Sequence, residues 1–192
     1  MLSLSKYLHN QRFKLFKSSH SFKKFSTKPS TNCLEKKSQL VHRLLQAKEK
    51  SGHSFDHIAS HCGLTNAYCA QLFYNQAQLK PNTAKKLKEI VPGINDEDIN
   101  EMEKAPFRSF REDILQEPHV YRMNEAVLHY GESLKALVNE KFGDGIMSAI
   151  DFYVTVDKIK GLHGEDRVQI IFNGKFLQHV EQLEKNNTAK KL

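Results

Sequence analysis

The sequence predicts an α+β protein, in which a bundle of short helices is followed by a small domain built from one long helix and a few strands. Between residues 38 and 91 the apolar residues recur at the spacing of one face of an amphipathic helix. After residue 150 the pattern changes to runs of β-branched and aromatic residues, which are typical of strands. This change of period separates a helical part of the chain from a part that contains the strands.

Four short helices joined by tight turns are predicted in the helical part. The breaks between them fall at Ser51 and Gly52, at Gly63 and at Pro81. The apolar positions that define the helices are Leu40, Val41, Leu44 and Leu45, then Phe55, Ile58 and Ala59, then Leu64, Tyr68, Cys69, Leu72 and Phe73, and finally Ala84, Leu87 and Ile90.

A helix-turn-helix pattern covers residues 54–73. Ala59 is small where two helices would cross, and Gly63 supplies the turn. Thr65 or Asn66 can cap the second helix.

Charge disfavours DNA binding by this pattern. Asn66, Gln71, Asn75 and Gln76 could read base edges, but residues 51–79 contain no Lys or Arg to neutralise phosphates. We therefore expect no nucleic-acid partner and interpret the bundle as a packing element. A helix-turn-helix DNA-binding regulator remains the alternative function.

One more short helix is predicted over residues 95–104, with acidic residues in the first turn, where the helix dipole favours them. Pro106 stops this helix, and residues 106–118 predict a connector. Pro118 falls in the first turn of a long helix, where its missing N–H costs nothing.

Two or three strands are predicted after the glycine turn at residues 143–145. Residues 152–159 (FYVTVDKI) and 167–172 (RVQIIF) predict two strands, and Asn173 and Gly174 predict a turn before a short third strand, KFL. A sheet of this size cannot cover both of its faces alone, so we expect it to pair with another subunit.

The formal net charge of +7 comes from the N-terminal residues. Residues 1–34 contain seven basic residues and no acidic one, so the remaining 22 basic residues equal the 22 acidic residues in number. The body of the chain is therefore neutral, and its net charge gives no argument for a polyanionic partner.

Residues 1–34 have the composition of a mitochondrial transit peptide, because they are rich in Ser and basic residues, lack acidic ones and carry scattered Leu and Phe. A disordered basic tail or a membrane-surface anchor is the alternative, and a cytoplasmic location is the alternative to a mitochondrial one. No apolar run reaches the ~20 residues that a membrane span needs, so we expect no membrane span.

The cysteines and histidines predict no metal site and no bound cofactor. Cys33, Cys62 and Cys69 lack the spacing of structural zinc ligands, and we expect the two in the helical region to be buried and inert. His57 and His61 could hold a metal on one helix face, but no third ligand is placed beside them. We interpret these two histidines as a surface pair.

The most specific pattern lies in residues 118–150, which we expect to be largely helical. It comprises the element YRxxE (Tyr121, Arg122, Glu125), the step Tyr130-Gly131, the run LKALVNEKFGDGI and the run SAIDF. In these residues the chain resembles cyanases, also called cyanate hydratases, and the resemblance extends over about residues 35–178. It implies a catalytic triad of Arg122, Glu125 and Ser148.

The resemblance implies an enzyme that combines two small anions, cyanate and bicarbonate, without a cofactor. Ammonia and carbon dioxide are then released through a carbamate intermediate. It also implies a bundle like the DNA-binding domain of phage repressors, and an intertwined dimer that builds a ring-shaped homodecamer. A catalytically silent oligomeric relative is a further alternative, which the retained triad disfavours.

Five segments follow from these observations. They are a leader (1–34), the helical bundle (35–105), a connector (106–118), the catalytic and dimerisation domain that the resemblance implies (119–179) and a polar tail (180–192).

The residue types of the triad are ambiguous when they are taken alone. Arg122 and Glu125 fit a solvated pair on a helix, and a serine after a glycine turn fits a helix cap. In the enzyme, Arg122 would present a planar fork to an anion, Glu125 would orient it or handle a proton, and Ser148 would donate to developing negative charge. One arginine is few for two anions, so we expect the site to be completed across a subunit interface.

Overall fold

The computed structural model describes residues 31–188 of the chain. The predicted leader therefore lies almost wholly outside the described residues, as does the end of the polar tail. Contacts within the chain divide it into two units, Met1–Glu35 and Lys36–Leu192. Of the first unit, the described residues are 31–35, which begin the first helix.

The α+β class is confirmed. No helix within residues 31–188 is long and apolar enough to cross a membrane. In chain order, the described elements are α1 (Thr31–Ser51), α2 (Phe55–Cys62), α3 (Asn66–Phe73), α4 (Pro81–Ile90), α5 (Asp96–Met102), a 3₁₀ turn (Glu112–Gln116), α6 (Pro118–Phe142), β1 (Gly145–Lys160), β2 (Asp166–Gln178) and a second 3₁₀ turn (Glu184–Asn186).

The predicted breaks between the helices are confirmed. Gly63 ends α2 with a φ of 71°, a left-handed conformation that glycine adopts without steric cost. Ser54 and Thr65 cap α2 and α3, because each side-chain oxygen accepts a hydrogen bond from a backbone N–H in the first turn. Pro81 is the first residue of α4. Local chemistry therefore fixes where these short helices start and stop.

The core of the described residues lies in the helical bundle. Its apolar side chains come from α1 to α5 and from the loops between them, and burial of each large one contributes roughly 1.5–3 kcal/mol. The largest fully buried side chains are Phe73, Leu44, Ile58, Leu72, Leu79, Leu87, Met102, Val91 and Cys69.

An ion pair joins the first and fifth helices across this core. Arg43 Nη2 donates to Asp98 Oδ1 at 2.6 Å, and Arg43 Nε donates to both carboxylate oxygens. Asp98 is almost fully buried, whereas Arg43 is half exposed. The hydrogen bond to Asp98 raises the pKa of Arg43. Separation of the two helices would leave the negative charge of the buried Asp98 carboxylate without a partner, which is energetically costly. The ion pair therefore holds α5 against α1.

The side chain of Asn66, in α3, binds the helical bundle to strand β1. Asn66 Nδ2 donates to the Val156 carbonyl oxygen at 2.6 Å, and Asn66 Oδ1 accepts from the Val156 N–H at 3.1 Å. The same amide group donates to Asp56 Oδ1 at 2.8 Å. Asn66 thus binds the backbone of β1 in the way that a neighbouring strand would.

The connector between bundle and long helix is held by side chains of the bundle. Lys37 Nζ donates to the Phe107 carbonyl at 2.8 Å. Gln76 Nε2 donates to the carbonyl oxygen of Ser109. These bonds fix the path of the chain towards α6.

The long helix begins where the sequence predicts and ends at Phe142, earlier than the helical stretch expected over residues 118–150. Pro118 is its first residue, and the Glu117 carboxylate accepts hydrogen bonds from the backbone N–H groups of His119 and Val120. Gly143 follows its last residue. No residue of α6 is buried in the single chain, although many of its side chains are apolar.

The predicted turn at Asn173 and Gly174 is wrong. Both residues lie inside β2, which continues as one strand to Gln178, so the described sheet has two antiparallel strands. Strand β1 also begins earlier than predicted, at Gly145. Gly174 is not a turn residue, because it lies inside a strand where the backbone of Ser148 in β1 approaches it closely.

Candidate active site

Arg122 and Glu125 lie on the first turns of α6 and face each other. Arg122 Nη1 donates to Glu125 Oε2 at 2.6 Å, which is the distance of a charge-assisted hydrogen bond. The guanidinium carbon lies 5.5 Å from the centre of the Tyr121 ring. The side chain of Arg122 is 72% exposed and that of Glu125 is 46% exposed. The single chain therefore presents this pair to its surroundings.

The hydrogen bond to Glu125 also raises the pKa of Arg122, and the charge of the carboxylate adds to the effect. A guanidinium is fully protonated at neutral pH in any case. The bond to Glu125 therefore affects the orientation of the guanidinium rather than its charge, because the carboxylate occupies one N–H of the fork.

Ser148 lies in β1, rather than at a helix cap or within helical sequence. It is one of the few buried polar residues among those described, with 6% of its surface exposed. Its Oγ accepts hydrogen bonds from the backbone N–H groups of Ile150 at 3.1 Å and Asp151 at 3.0 Å. Since both bonds use the oxygen as acceptor, the hydroxyl proton remains available to a ligand.

An irregularity of the sheet produces this arrangement. Met147 pairs with Phe176 and Phe152 pairs with Gly174, so the four residues between Met147 and Phe152 oppose the single residue Lys175. The extra residues leave the ladder as a bulge, which is a common way to aim a side chain at a site. Ser148 is the first residue of this bulge.

Gly174 is the residue that the bulge approaches. A Cβ atom at position 174 would lie 2.4 Å from the Ser148 carbonyl oxygen, 2.5 Å from Met147 Cγ and 3.0 Å from Phe152 Cδ2. Sequence reasoning missed this role, although a glycine inside a strand pattern is a known sign of close backbone approach.

The structure brings two of the three predicted site residues together. No hydrogen bond or ion pair within residues 31–188 joins Ser148 to Arg122 or Glu125. The single chain also exposes apolar surface on α6 and on the sheet, as expected if another subunit packs there. The exposed side chains on α6 and the sheet include Val127, Leu128, Tyr130, Leu134, Leu137, Phe142, Ile146, Tyr153, Val168, Ile171, Phe172 and Leu177.

The histidines singled out in the sequence lie on the surface, as predicted. His61 Nε2 is 3.3 Å from Glu89 Oε2, and the ring of His57 stacks on that of His53 at 4.6 Å. Among residues 31–188 there is no group of three or more His, Cys, Asp or Glu residues that could hold a metal ion.

The prediction of buried, inert cysteines is confirmed for Cys62 and Cys69. Burial raises the pKa of both thiols, that of Cys69 to about 12. Neither thiol therefore has the thiolate character of a nucleophile at neutral pH.

The residues that could have read DNA bases are partly engaged inside the protein. Asn66 binds the backbone of Val156, and Gln76 donates to the carbonyl of Ser109. Helix α3, the second helix of the helix-turn-helix pattern, contacts β1. These contacts favour the packing interpretation of the bundle over DNA recognition.

Comparisons with known proteins point to one family. A family model described as the cyanate lyase C-terminal domain matches residues 112–181, a range that contains α6, both strands and all three predicted site residues. A cyanate hydratase of Arabidopsis thaliana is 52% identical over 155 residues, which is 81% of this chain and 92% of that protein. A cyanate hydratase of Phaeodactylum tricornutum is 49% identical over 167 residues, covering 86% of each chain.

More distant relatives agree. A cyanate hydratase of Aquifex aeolicus is 35% identical over 137 residues, covering 71% of this chain and 91% of that protein. The crystal structure of a cyanase from T. urticae superimposes with a TM-score of 0.65 at 32% identity, covering 73% of this chain and 99% of that one.

Proposed function

The chain belongs to the cyanate hydratase family and acts as a lyase on cyanate, and we propose that its reaction consumes bicarbonate. The observation that carries this conclusion is the 52% identity to a cyanate hydratase across 92% of that relative. We propose Arg122, Glu125 and Ser148 as the catalytic residues. All three lie within the matched range of 112–181.

The proposed reaction proceeds in two steps. Cyanate and bicarbonate combine, and the adduct takes up a proton and loses carbon dioxide to leave carbamate. Carbamate then takes up a second proton and breaks down to ammonia and a second carbon dioxide. Both substrates are anions and no cofactor takes part, so the site must supply positive charge, hydrogen-bond donors and protons.

Arg122 supplies the charge. Its guanidinium presents a planar set of donors that matches carboxylate-like oxygens, and Glu125 holds it at 2.6 Å in one orientation. Because Glu125 binds Arg122 directly, its carboxylate would lie beside an anion held by that guanidinium, which suits it to proton transfer towards the leaving ammonia.

Ser148 supplies a neutral donor. The N–H groups of Ile150 and Asp151 occupy its oxygen, so the hydroxyl proton is left to point at negative charge that develops in the adduct. A donor fixed in this way needs no reorganisation during the reaction, which is the source of its catalytic value.

Bicarbonate dependence is tested by the initial rate of ammonia release from cyanate in degassed buffer, with and without added bicarbonate. We expect release close to the protein-free background without bicarbonate and a saturable increase with it. Degassing and initial rates are needed because the product carbon dioxide itself hydrates to bicarbonate. An equal rate in both buffers would contradict the proposed co-substrate, although not cyanate lyase activity itself.

Oligomerisation is consistent with the family and with the exposed apolar surface of α6 and the sheet, and we propose a ring-shaped decamer of intertwined dimers. Light scattering is expected to give a mass near ten times that of the processed chain, whose full length is 22.1 kDa. Apolar surface of this extent is uncommon on a monomer in water. An active monomer would contradict both the assembly and the shared site.

We also propose a mitochondrial location, with a cytoplasmic one as the alternative. The support is the composition of residues 1–34, which are basic, rich in Ser and free of acidic residues.

A further inference from the structure

Gly174 occupies a position that requires glycine for space rather than for backbone conformation. The described glycines with positive φ are Gly52, Gly63, Gly143 and Gly164, and Gly174 is not among them. An alanine could adopt its backbone angles, but the added methyl group would lie 2.4 Å from the Ser148 carbonyl oxygen. That distance is far below any normal carbon–oxygen contact, so one of the two atoms would have to move.

The nature of the contacting atom decides what must move. A flexible side chain could rotate away, as the Glu165 carboxylate could from a Cβ at Gly161, where it would lie at 1.7 Å. The first contact of Gly174 is instead the backbone oxygen of Ser148. This oxygen can move only if the whole Ser148 peptide group shifts.

A shift of the Ser148 peptide would reach the hydroxyl group. Ser148 Oγ is held by the N–H groups of Ile150 and Asp151 within the same bulge, so the bulge behaves as one small unit. The neighbouring residues Met147 and Phe152, which rejoin the ladder on either side, also contact the Gly174 position. Gly174 is therefore the surface of β2 against which this unit rests.

We propose that Gly174 is a positioning residue for Ser148, which allows the bulge to lie close enough to β2 to aim the Ser148 hydroxyl at the substrate. The proposal rests on the proposed function, because it assumes that Ser148 donates to the reacting anion. Gly174 itself contributes no atom to the chemistry.

The direct test is the variant Gly174→Ala, assayed for kcat and KM for cyanate after its assembly has been verified. A displacement of about 1 Å at a reacting group can cost about a hundredfold in rate, so we expect kcat to fall by about tenfold or more. The matched control is Gly161→Ala in the same hairpin, where only a flexible carboxylate must move. We expect its kcat to stay within about twofold of the parent, since its contact can relax by side-chain rotation.

A double-mutant cycle separates positioning of Ser148 from a general effect on the sheet. If Gly174 acts through Ser148, then Gly174→Ala should cost little further activity in a Ser148→Ala background, because the two changes damage the same interaction. Equal fold losses from Gly174→Ala in both backgrounds would overturn the proposal. This readout does not depend on how stable the sheet is.

A second variant covers the case in which Gly174→Ala fails to assemble. Met147→Ala together with Gly174→Ala removes the side-chain contact at 2.5 Å and leaves the backbone contact at 2.4 Å. We expect this double variant to assemble and to remain slow, while Met147→Ala alone stays active. Full recovery of kcat, or continued loss of assembly, would show that glycine is needed at position 174 for packing and not for positioning the Ser148 hydroxyl.

The outcomes also separate this inference from the proposed function. An inactive parent enzyme would contradict the proposed function. A fully active Ser148→Ala variant would remove Ser148 from the proposed catalytic residues and, with it, the basis of this inference. An active parent with a slow Ser148→Ala variant and a fully active Gly174→Ala variant would contradict only the role of Gly174.

Discussion

Ser148→Ala is expected to lower turnover by a factor on the order of 10² to 10³, which is the usual loss when one fixed donor to a developing negative charge is removed. The structure gives the reason for a large effect. Ser148 is buried, and its oxygen is held by two backbone N–H groups, so its hydroxyl is preorganised as a donor. Initial rates of ammonia release at saturating cyanate and bicarbonate measure the loss.

Alanine at position 148 also removes the acceptor of two N–H groups, and this structural effect needs its own measurement. Hydrogen exchange of a peptide that covers residues 148–152 reports whether the bulge has opened. Ser60→Ala, at an exposed serine of α2, is the control and should leave turnover unchanged. Near-parental turnover of Ser148→Ala in an intact oligomer would remove Ser148 from the proposed mechanism.

Arg122→Lys is expected to lower kcat/KM by about a hundredfold or more, because lysine keeps the positive charge but loses the planar fork that binds two oxygens of one anion. An ion pair with Glu125 remains possible in the variant, so the fold should survive. Kinetics at varied concentrations of both anions will show which of them loses affinity.

The chain offers a matched control for this substitution. Arg111 also forms an exposed ion pair with a nearby carboxylate, that of Asp113 in the connector segment. Arg111→Lys should leave kcat/KM within about twofold, because exposed pairs of this kind contribute little. An Arg122→Lys oligomer as active as the Arg111→Lys oligomer would exclude a role for the guanidinium fork.

The helical bundle could be predicted from sequence because its signals are local. Gly63, Thr65 and Pro81 act on their own backbone or on that of the next turn, and the structure places each at a predicted helix end. Ser54 adds a cap that was not predicted. Helix α1 starts at Thr31, earlier than the apolar spacing indicated. The first turns of this helix have little apolar periodicity, so the pattern did not reveal them.

The sheet was predicted less well because its signals are not local. Residues 145–151 lack the alternation of a strand, and they join β1 because residues 176–178 of β2 pair with the start of this segment. Asn173 and Gly174 have the composition of a tight turn, but Gly174 faces the Ser148 peptide across the ladder. Nothing within a few residues of Gly174 indicates that partner.

Sequence resemblance supplied the identity of the candidate site residues, and physical pattern alone did not. Arg122 and Glu125 at a spacing of three residues are common on helix surfaces, and the structure shows them as an exposed pair. The burial of Ser148 and its two N–H donors depend on a bulge that composition does not encode. We expect the relation between the two parts of the candidate site to depend on the assembly.

The contact between Asn66 and Val156 restricts how copies of the chain can associate. Strand β1 has β2 on one side only, and an uncovered strand edge invites a further strand to add to it and so promotes aggregation. At Val156 both edge groups are already bound by the Asn66 carboxamide. A further strand therefore cannot pair with β1 at this residue. The bundle, besides packing its own core, thus covers part of this edge of β1.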